Sequence, residues 1–223
     1  MTTLVLIPTQ AEFESFIEAI SLTYRANDLQ VGLLSLVEFD GLPLAVGLGG
    51  LGKVEFAVHA QHLLDQRGWS CFICAGASGA LAPTVSHLDV VISTETVEHD
   101  IRKVSRPMIP RYPTDACVLS TCRTVLSAAG FNFDVHFGPI ASGNEDIVSE
   151  TRRTEVATRT QALAVAWEGA GAGAACQLST VPFVEIRGVA DSADANGPID
   201  FQRNLRAVMF NVAAVSVVVA KAL

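Results

Sequence analysis

Leu163-Ala-Val-Ala-Trp-Glu168-Gly-Ala-Gly171, followed by Val184-Glu-Ile-Arg187-Gly-Val-Ala-Asp191-Ser-Ala-Asp194, decides the fold. Each half reads as a short apolar strand that ends in a carboxylate and runs into small residues or a turn. In open α/β sheets ligands bind beyond the carboxyl ends of strands. Glu168 and Asp191 are therefore candidates to share binding and proton transfer at one pocket. The plainer alternative is that both are strand-end or helix-start acids, favoured by the helix dipole.

Outward from this pair, the chain alternates strand and helix. Leu4–Ile7 reads as a buried strand, and the helix after Pro8-Thr9-Gln10 spaces Phe13, Phe16, Ile17 and Ile20 at i, i+3, i+4, i+7. Asp40-Gly41 marks a hairpin between 31–39 and 42–48. A helix is expected over 53–67, and strands over 72–75, 89–97, 136–141, 162–167 and 183–189. Further helices fall near 121–129, 150–160 and 169–178. The expected architecture is a single α/β domain over 1–223, a three-layer sandwich whose mixed, mainly parallel sheet is flanked by helices. The run 102–113, with three prolines and four basic residues, is the one long irregular stretch. It reads as a solvated loop, a lid or an interface arm.

Composition narrows the partners. Half of the 223 residues are hydrophobic and 17% are charged, ample for a large core. A net charge of −8 argues against a nucleic-acid partner, which would want clustered Lys and Arg. Met1-Thr-Thr3 leads straight into an apolar strand with no signal-peptide pattern. The run 213–220 is too short to span a bilayer and reads as a buried helix, so no membrane partner is expected. Cys71-Phe-Ile-Cys74 has CxxC spacing but lies within a strand and lacks further ligands at knuckle spacing, so no metal is expected. Five cysteines, an odd set, suit a reduced, cytoplasmic protein.

Three turns are built from small residues: 47–52, 75–81 and 141–146. Gly47-Leu-Gly-Gly-Leu-Gly52-Lys53-Val54 nearly satisfies the phosphate-loop pattern GxxxxGK(S/T), but Val54 has no hydroxyl for magnesium. What survives is the physics of glycine turns, which let backbone approach a ligand and open helices whose N–H groups face it. Three such turns suggest a pocket for a flat, sugar-bearing ligand.

Taken in order, Ala11-Glu12-Phe13, Gly49-Gly-Leu-Gly-Lys53, Ala75-Gly-Ala-Ser-Gly79, Asp89-Val-Val-Ile-Ser93, His99-Asp100, Ala141-Ser-Gly143, Trp167-Glu168 and Arg187-Gly-Val-Ala-Asp191-Ser-Ala-Asp194 resemble the nucleoside phosphorylase superfamily. The resemblance covers almost the whole chain and is closest to the methylthioadenosine/S-adenosylhomocysteine nucleosidase branch. It implies hydrolysis of a purine nucleoside's N-glycosidic bond without a cofactor. It implies Glu12 as the group that orients the attacking water, and Glu168 as the holder of the ribose hydroxyls. Asp191 would donate a proton to the leaving base, with Arg187 four residues earlier also matching. Ala77, Ser78, Gly79, Asp146, Ile147 and Trp167 fall at substrate-binding positions. Three of these depart from the branch: Trp167 replaces a methionine, Asp146 an aromatic residue, and Ala77 a serine, with Ser78 one place later. Related nucleosidases are dimers in which a partner loop covers the 5′ end of the substrate, so a homodimer is expected, with 102–113 as that arm.

The alternatives are futalosine hydrolase, a phosphate-dependent purine nucleoside phosphorylase, and a non-catalytic nucleoside-binding protein. Phosphorolysis needs arginines to clamp the anion, and the glycine turns carry Lys53 but no arginine.

Overall fold

β1 (Thr3–Ile7) is buried along its whole length. It runs between β4 (Leu44–Leu48) and β5 (Phe72–Ala80), parallel to both, and its alternate side chains enter cores on the two sides of the sheet, so neither face meets water. The computed structural model describes residues 2–101 and 108–223. At the end of β1, Thr9 starts α1 (Gln10–Ser21) with a reciprocal capping box to Glu12. Phe16 and Ile20 bury the inner face of the helix.

The hairpin at Asp40-Gly41 joins β3 (Leu34–Phe39) to β4 in antiparallel register. A second hairpin pairs β3 with β2 (Ala26–Val31), which the sequence reading missed. β2 is a mostly exposed, polar edge strand, so it carries little apolar alternation to read. α2 (Gly52–Gln66) follows β4. The next strand is longer than expected. The small-residue segment 75–81 is not a turn but the second half of β5, which extends to Ala80.

The remaining elements are β6 (Val90–Glu98), β7 (Arg111–Pro113), α3 (Ala116–Ala128), β8 (Val135–Ser142), α4 (Glu150–Thr160), β9 (Ala164–Ala166), α5 (Gly169–Ser179), β10 (Phe183–Asp191) and α6 (Gly197–Ala222). β7 occupies the end of the stretch expected to be irregular. α3 begins five residues before the expected Thr121, capped by Asp115 at the N–H groups of Cys117 and Val118.

The sheet corrects the expected sandwich. Its order is β10-β6-β8-β9-β5-β1-β4-β3-β2, and β10 also pairs with β5. Strands β10, β6, β8, β9 and β5 therefore close into a ring, and β1 to β4 extend from it as an open wing. Among the described residues five strand pairings are parallel and five antiparallel. "Mainly parallel" does not hold, because the ring sets β5 against β9 and β10 against β6, and the pairings β2–β3, β3–β4 and β6–β7 are antiparallel too. Helix–strand alternation reports that crossovers exist, not which edges meet.

Two cores cover the faces. One gathers α1, α3 and α6 side chains such as Phe16, Val118 and Val212; the other gathers α2 and α5 side chains such as Phe56, Leu63 and Ala172. Cys71 belongs to the first core and Cys74 to the second, so the CxxC pair diverges. α6 spans 26 residues, far more than the apolar run, and passes a length and composition test for crossing a membrane. Its apolar positions, among them Val208, Met209, Val212, Val215 and Val219, are buried in the first core.

Candidate active site

A cavity of about 480 Å³ opens beside the ends of β1, β5 and β10, within the range of small-molecule sites. All ten residues picked from the sequence line it: Glu12, Ala77, Ser78, Gly79, Asp146, Ile147, Trp167, Glu168, Arg187 and Asp191. Glu168 follows β9, which runs opposite to β5, while Asp191 ends β10, which runs along it. The two acids therefore reach the cavity from opposed strands.

Glu12 is buried in the first turn of α1. Its Oε1 accepts from the Ala77 N–H at 2.8 Å. Its Oε2 accepts from the Thr9 hydroxyl at 2.5 Å and the Thr9 N–H at 3.2 Å. Burial pushes its pKa above the usual carboxylate range, against these hydrogen bonds and the charge of Arg187. Glycine at 76 is required here, since a methyl group would approach Arg187 Nη1 to 2.5 Å and Glu12 Oε1 to 2.9 Å.

Glu168 is held at both oxygens. Oε1 accepts from the Gly52 N–H at 3.0 Å, and Oε2 from Arg187 Nη2 at 3.0 Å. The first contact is what the first glycine turn supplies: a backbone donor at the start of α2, at φ +77°. Ser142 Oγ donates to the Trp167 carbonyl and accepts from the Ala170 N–H, fixing the segment between them.

Asp191 stands apart from this network. Its Oδ1 accepts from the Ala193 N–H at 2.7 Å. Burial raises its pKa to about 6, with Asp194 and Asp200 adding to the rise and the Ala193 hydrogen bond and His87 opposing it. Gly79 leaves it room; a methyl group there would lie 2.8 Å from Oδ1. A half-buried carboxyl with a pKa near 6 is a group able to give a proton in neutral solution.

Arg187 is the one cationic residue lining the cavity among the described residues. Its guanidinium contacts Glu185 and Glu168 and approaches the Ala77 carbonyl. Lys53, in the near-match to a phosphate loop, is turned away onto Glu98 at 2.7 Å and Asp100 at 2.5 Å. Asp146 lies exposed at the rim, while its neighbour Glu145 is paired bidentately with Arg152.

The sequence reading missed Thr9, although Thr9-x-x-Glu12 is a legible capping box. It missed Phe201 and Gln202, brought to the cavity by α6, and Glu185, which lies behind the lining. Among the described residues one group could offer three ligand atoms to a metal, Asp89, Asp134 and His136, within 4.8 Å of one another. Asp89 immediately precedes β6, at the end opposite Glu98, and already accepts from the Ser86 N–H and His136.

Carboxylates line the cavity, and Arg187, its one cation among the described residues, is paired with Glu168 and Glu185. The chain belongs to the phosphorylase superfamily, whose family model matches residues 2–222. Within that class its similarity is to the 5′-methylthioadenosine/S-adenosylhomocysteine nucleosidases. The one from Anoxybacillus flavithermus is 32% identical over 177 residues, covering 75% of each chain. The crystal structure of the Neisseria meningitidis nucleosidase with methylthio-immucillin-A matches at TM-score 0.87 and 26% identity, covering 100% of both chains. The futalosine hydrolase of Helicobacter pylori matches at TM-score 0.88 and 18% identity, covering 100% of this chain and 98% of that one. At that identity the likeness concerns the fold alone.

Proposed function

We propose that the chain is an N-glycosyl hydrolase of the methylthioadenosine/S-adenosylhomocysteine nucleosidase type. One observation carries the reading: three carboxylates meet in one cavity, each in an environment suited to a different duty. Glu12, its pKa raised by burial, takes a proton from water as the water oxygen bonds to C1′. Glu168, held by Gly52 and Arg187, faces the ribose hydroxyls and places negative charge near the developing oxocarbenium ion. Asp191 gives its proton to the purine as the C1′–N9 bond breaks and the bond's electron pair leaves with the base. Two carboxyl groups serving the two ends of a breaking glycosidic bond is the logic of glycosidases.

Water as nucleophile is supported by the state of the cations. Arg187 is occupied by carboxylates, and Glu12 would repel a phosphate at the place where one must attack. The test is release of free base from methylthioadenosine, adenosylhomocysteine and futalosine, with and without phosphate. Release without phosphate is the expected result, and a strict phosphate requirement refutes hydrolysis. Fastest turnover of futalosine would assign the chain to the rival reaction on the same fold.

The working unit is read as a cytoplasmic homodimer built from one domain per chain. Leu51, Val54 and Val58 stand 54%, 74% and 62% exposed along one side of α2, with Leu51 also at the cavity rim. Met108 is likewise 72% exposed. Such a patch supports a partner better than solvent. The expected interface arm 102–113 lies outside the described residues over 102–107.

A further inference from the structure

Glu185 and Arg187 are two residues apart on β10, and the two-residue period of a strand puts both on one face. Glu185 is fully buried and does not line the cavity. Its Oε1 accepts from Arg187 Nε at 2.8 Å, and its Oε2 accepts from the Thr96 hydroxyl on β6 at 2.5 Å. The start of α5 also meets it, since a methyl group added at Gly169 would overlap the Glu185 carboxylate. A helix N-terminus favours a negative charge. Arg187, Thr96 and the start of α5 thus each favour an anion here, against burial and the nearby Glu168 charge, at a depth where an unpartnered one would be prohibitive.

On the other side of the guanidinium, Arg187 Nη2 donates to Glu168 Oε2 at 3.0 Å and lies 3.3 Å from Cys74 Sγ on β5. Four titratable groups therefore face Arg187: Glu185 beside it on β10, Glu168 before α5, Glu12 on α1 and Cys74 on β5. The guanidinium is planar with a fixed fork of donors. Holding Nε fixes the plane, and the plane fixes where Nη2 points.

We infer that Glu185 is a positioning residue for the reaction: it clamps the Arg187 plane through Nε, so that Nη2 holds the Glu168 carboxylate against the ribose. The inference rests on the functional reading above. Glu185 touches no substrate. It acts only through Arg187, and its loss reaches the chemistry as a misplaced Glu168. Burial pushes the Glu185 carboxyl up, while Arg187 and Thr96 pull it back toward ionisation. Sharing the single cation with Glu185 also leaves less positive charge to suppress the basicity of Glu12.

The test is Glu185→Gln, which keeps the shape and one acceptor, measured on a ribonucleoside and its 2′-deoxy analogue alongside the unaltered protein. Outer partners of site ligands typically contribute about 10–100-fold, and a loss of that size in kcat/KM is expected on the ribonucleoside, with a smaller loss on the deoxy analogue. In a Glu168→Gln background the same change should cost less than about threefold, because the group it positions is already gone. A purely structural role would lower both substrates equally and multiply with Glu168→Gln, and either result overturns the proposal. Thr96→Val removes the outer hydroxyl at constant volume and should show the same substrate bias at smaller size, even if Glu185→Gln folds poorly. An active wild type with a fully active Glu185→Gln overturns the positioning role alone, whereas an inactive wild type overturns the functional reading and this proposal with it.

Discussion

Asp191→Asn separates activity from stability in opposite directions, and the structure sets both sizes. The amide keeps the shape and can still accept from the Ala193 N–H, now 2.7 Å from Oδ1, but it has no proton to give. General acids contribute about 10²–10⁴-fold, so kcat should fall by that factor, roughly 3–5 kcal/mol of barrier. In the wild type the acid must be protonated. With a pKa of about 6, roughly a tenth of the free protein carries the proton at pH 7. The kcat/KM profile should therefore decline above about pH 6. Stability moves the other way. The carboxyl is raised from an ordinary value of 3.8 to about 6, so the folded state holds its proton more tightly than the unfolded chain. The cost of ionising it is absent below about pH 4, grows as pH rises, and is complete above about pH 6. The shift of about two units corresponds to about 3 kcal/mol, and residual solvent access lowers this toward about 1–2. Asp191→Asn should melt several degrees higher than wild type at pH 8 and at the same temperature near pH 4. Thermal melts across pH and steady-state assays read both effects. A variant that keeps more than about a tenth of wild-type kcat places the general acid elsewhere, and one that gains no stability at pH 8 refutes the buried-carboxyl argument.

Glu12→Gln keeps one acceptor for the Thr9 and Ala77 N–H groups and leaves the other unmatched, so it should cost about 1–3 kcal/mol of stability and about 10²–10⁴-fold in kcat, read by base release with a melting control. Glu168→Gln should penalise ribonucleosides by about 1.5–3 kcal/mol more than 2′-deoxy analogues, and equal losses would remove Glu168 from the ribose. Gly79→Ala places a methyl group 2.8 Å from Asp191 Oδ1 and should cut kcat about 10²-fold for a displacement near 1 Å. Gly68→Ala, where an added methyl group meets nothing, should leave kinetics unchanged. Sedimentation at micromolar concentration should show a dimer, and a clean species at 23.6 kDa would refute the assembly.

The sequence alone determined what is local. Glu12 sits three residues into a capped helix, Glu168 lies two residues beyond one apolar strand and Asp191 ends another, so their shared cavity was legible as a strand-end pattern. The hairpin at Asp40-Gly41 was legible for the same reason, since a turn's dihedrals belong to its own residues. Tertiary structure decided what depends on distant partners. The pairing of β10 with β5 and β6 turned an expected open sheet into a ring, and it carried Glu185 under the guanidinium that Glu168 shares. Residues 75–80 form strand rather than turn because β10 and β9 pair with them, and Gly76 and Gly79 leave room for Arg187, Glu12 and Asp191. The proton on Asp191 near neutral pH is likewise a product of burial by chain far away in sequence, because desolvation depends on everything packed around a group and not on its neighbours along the backbone.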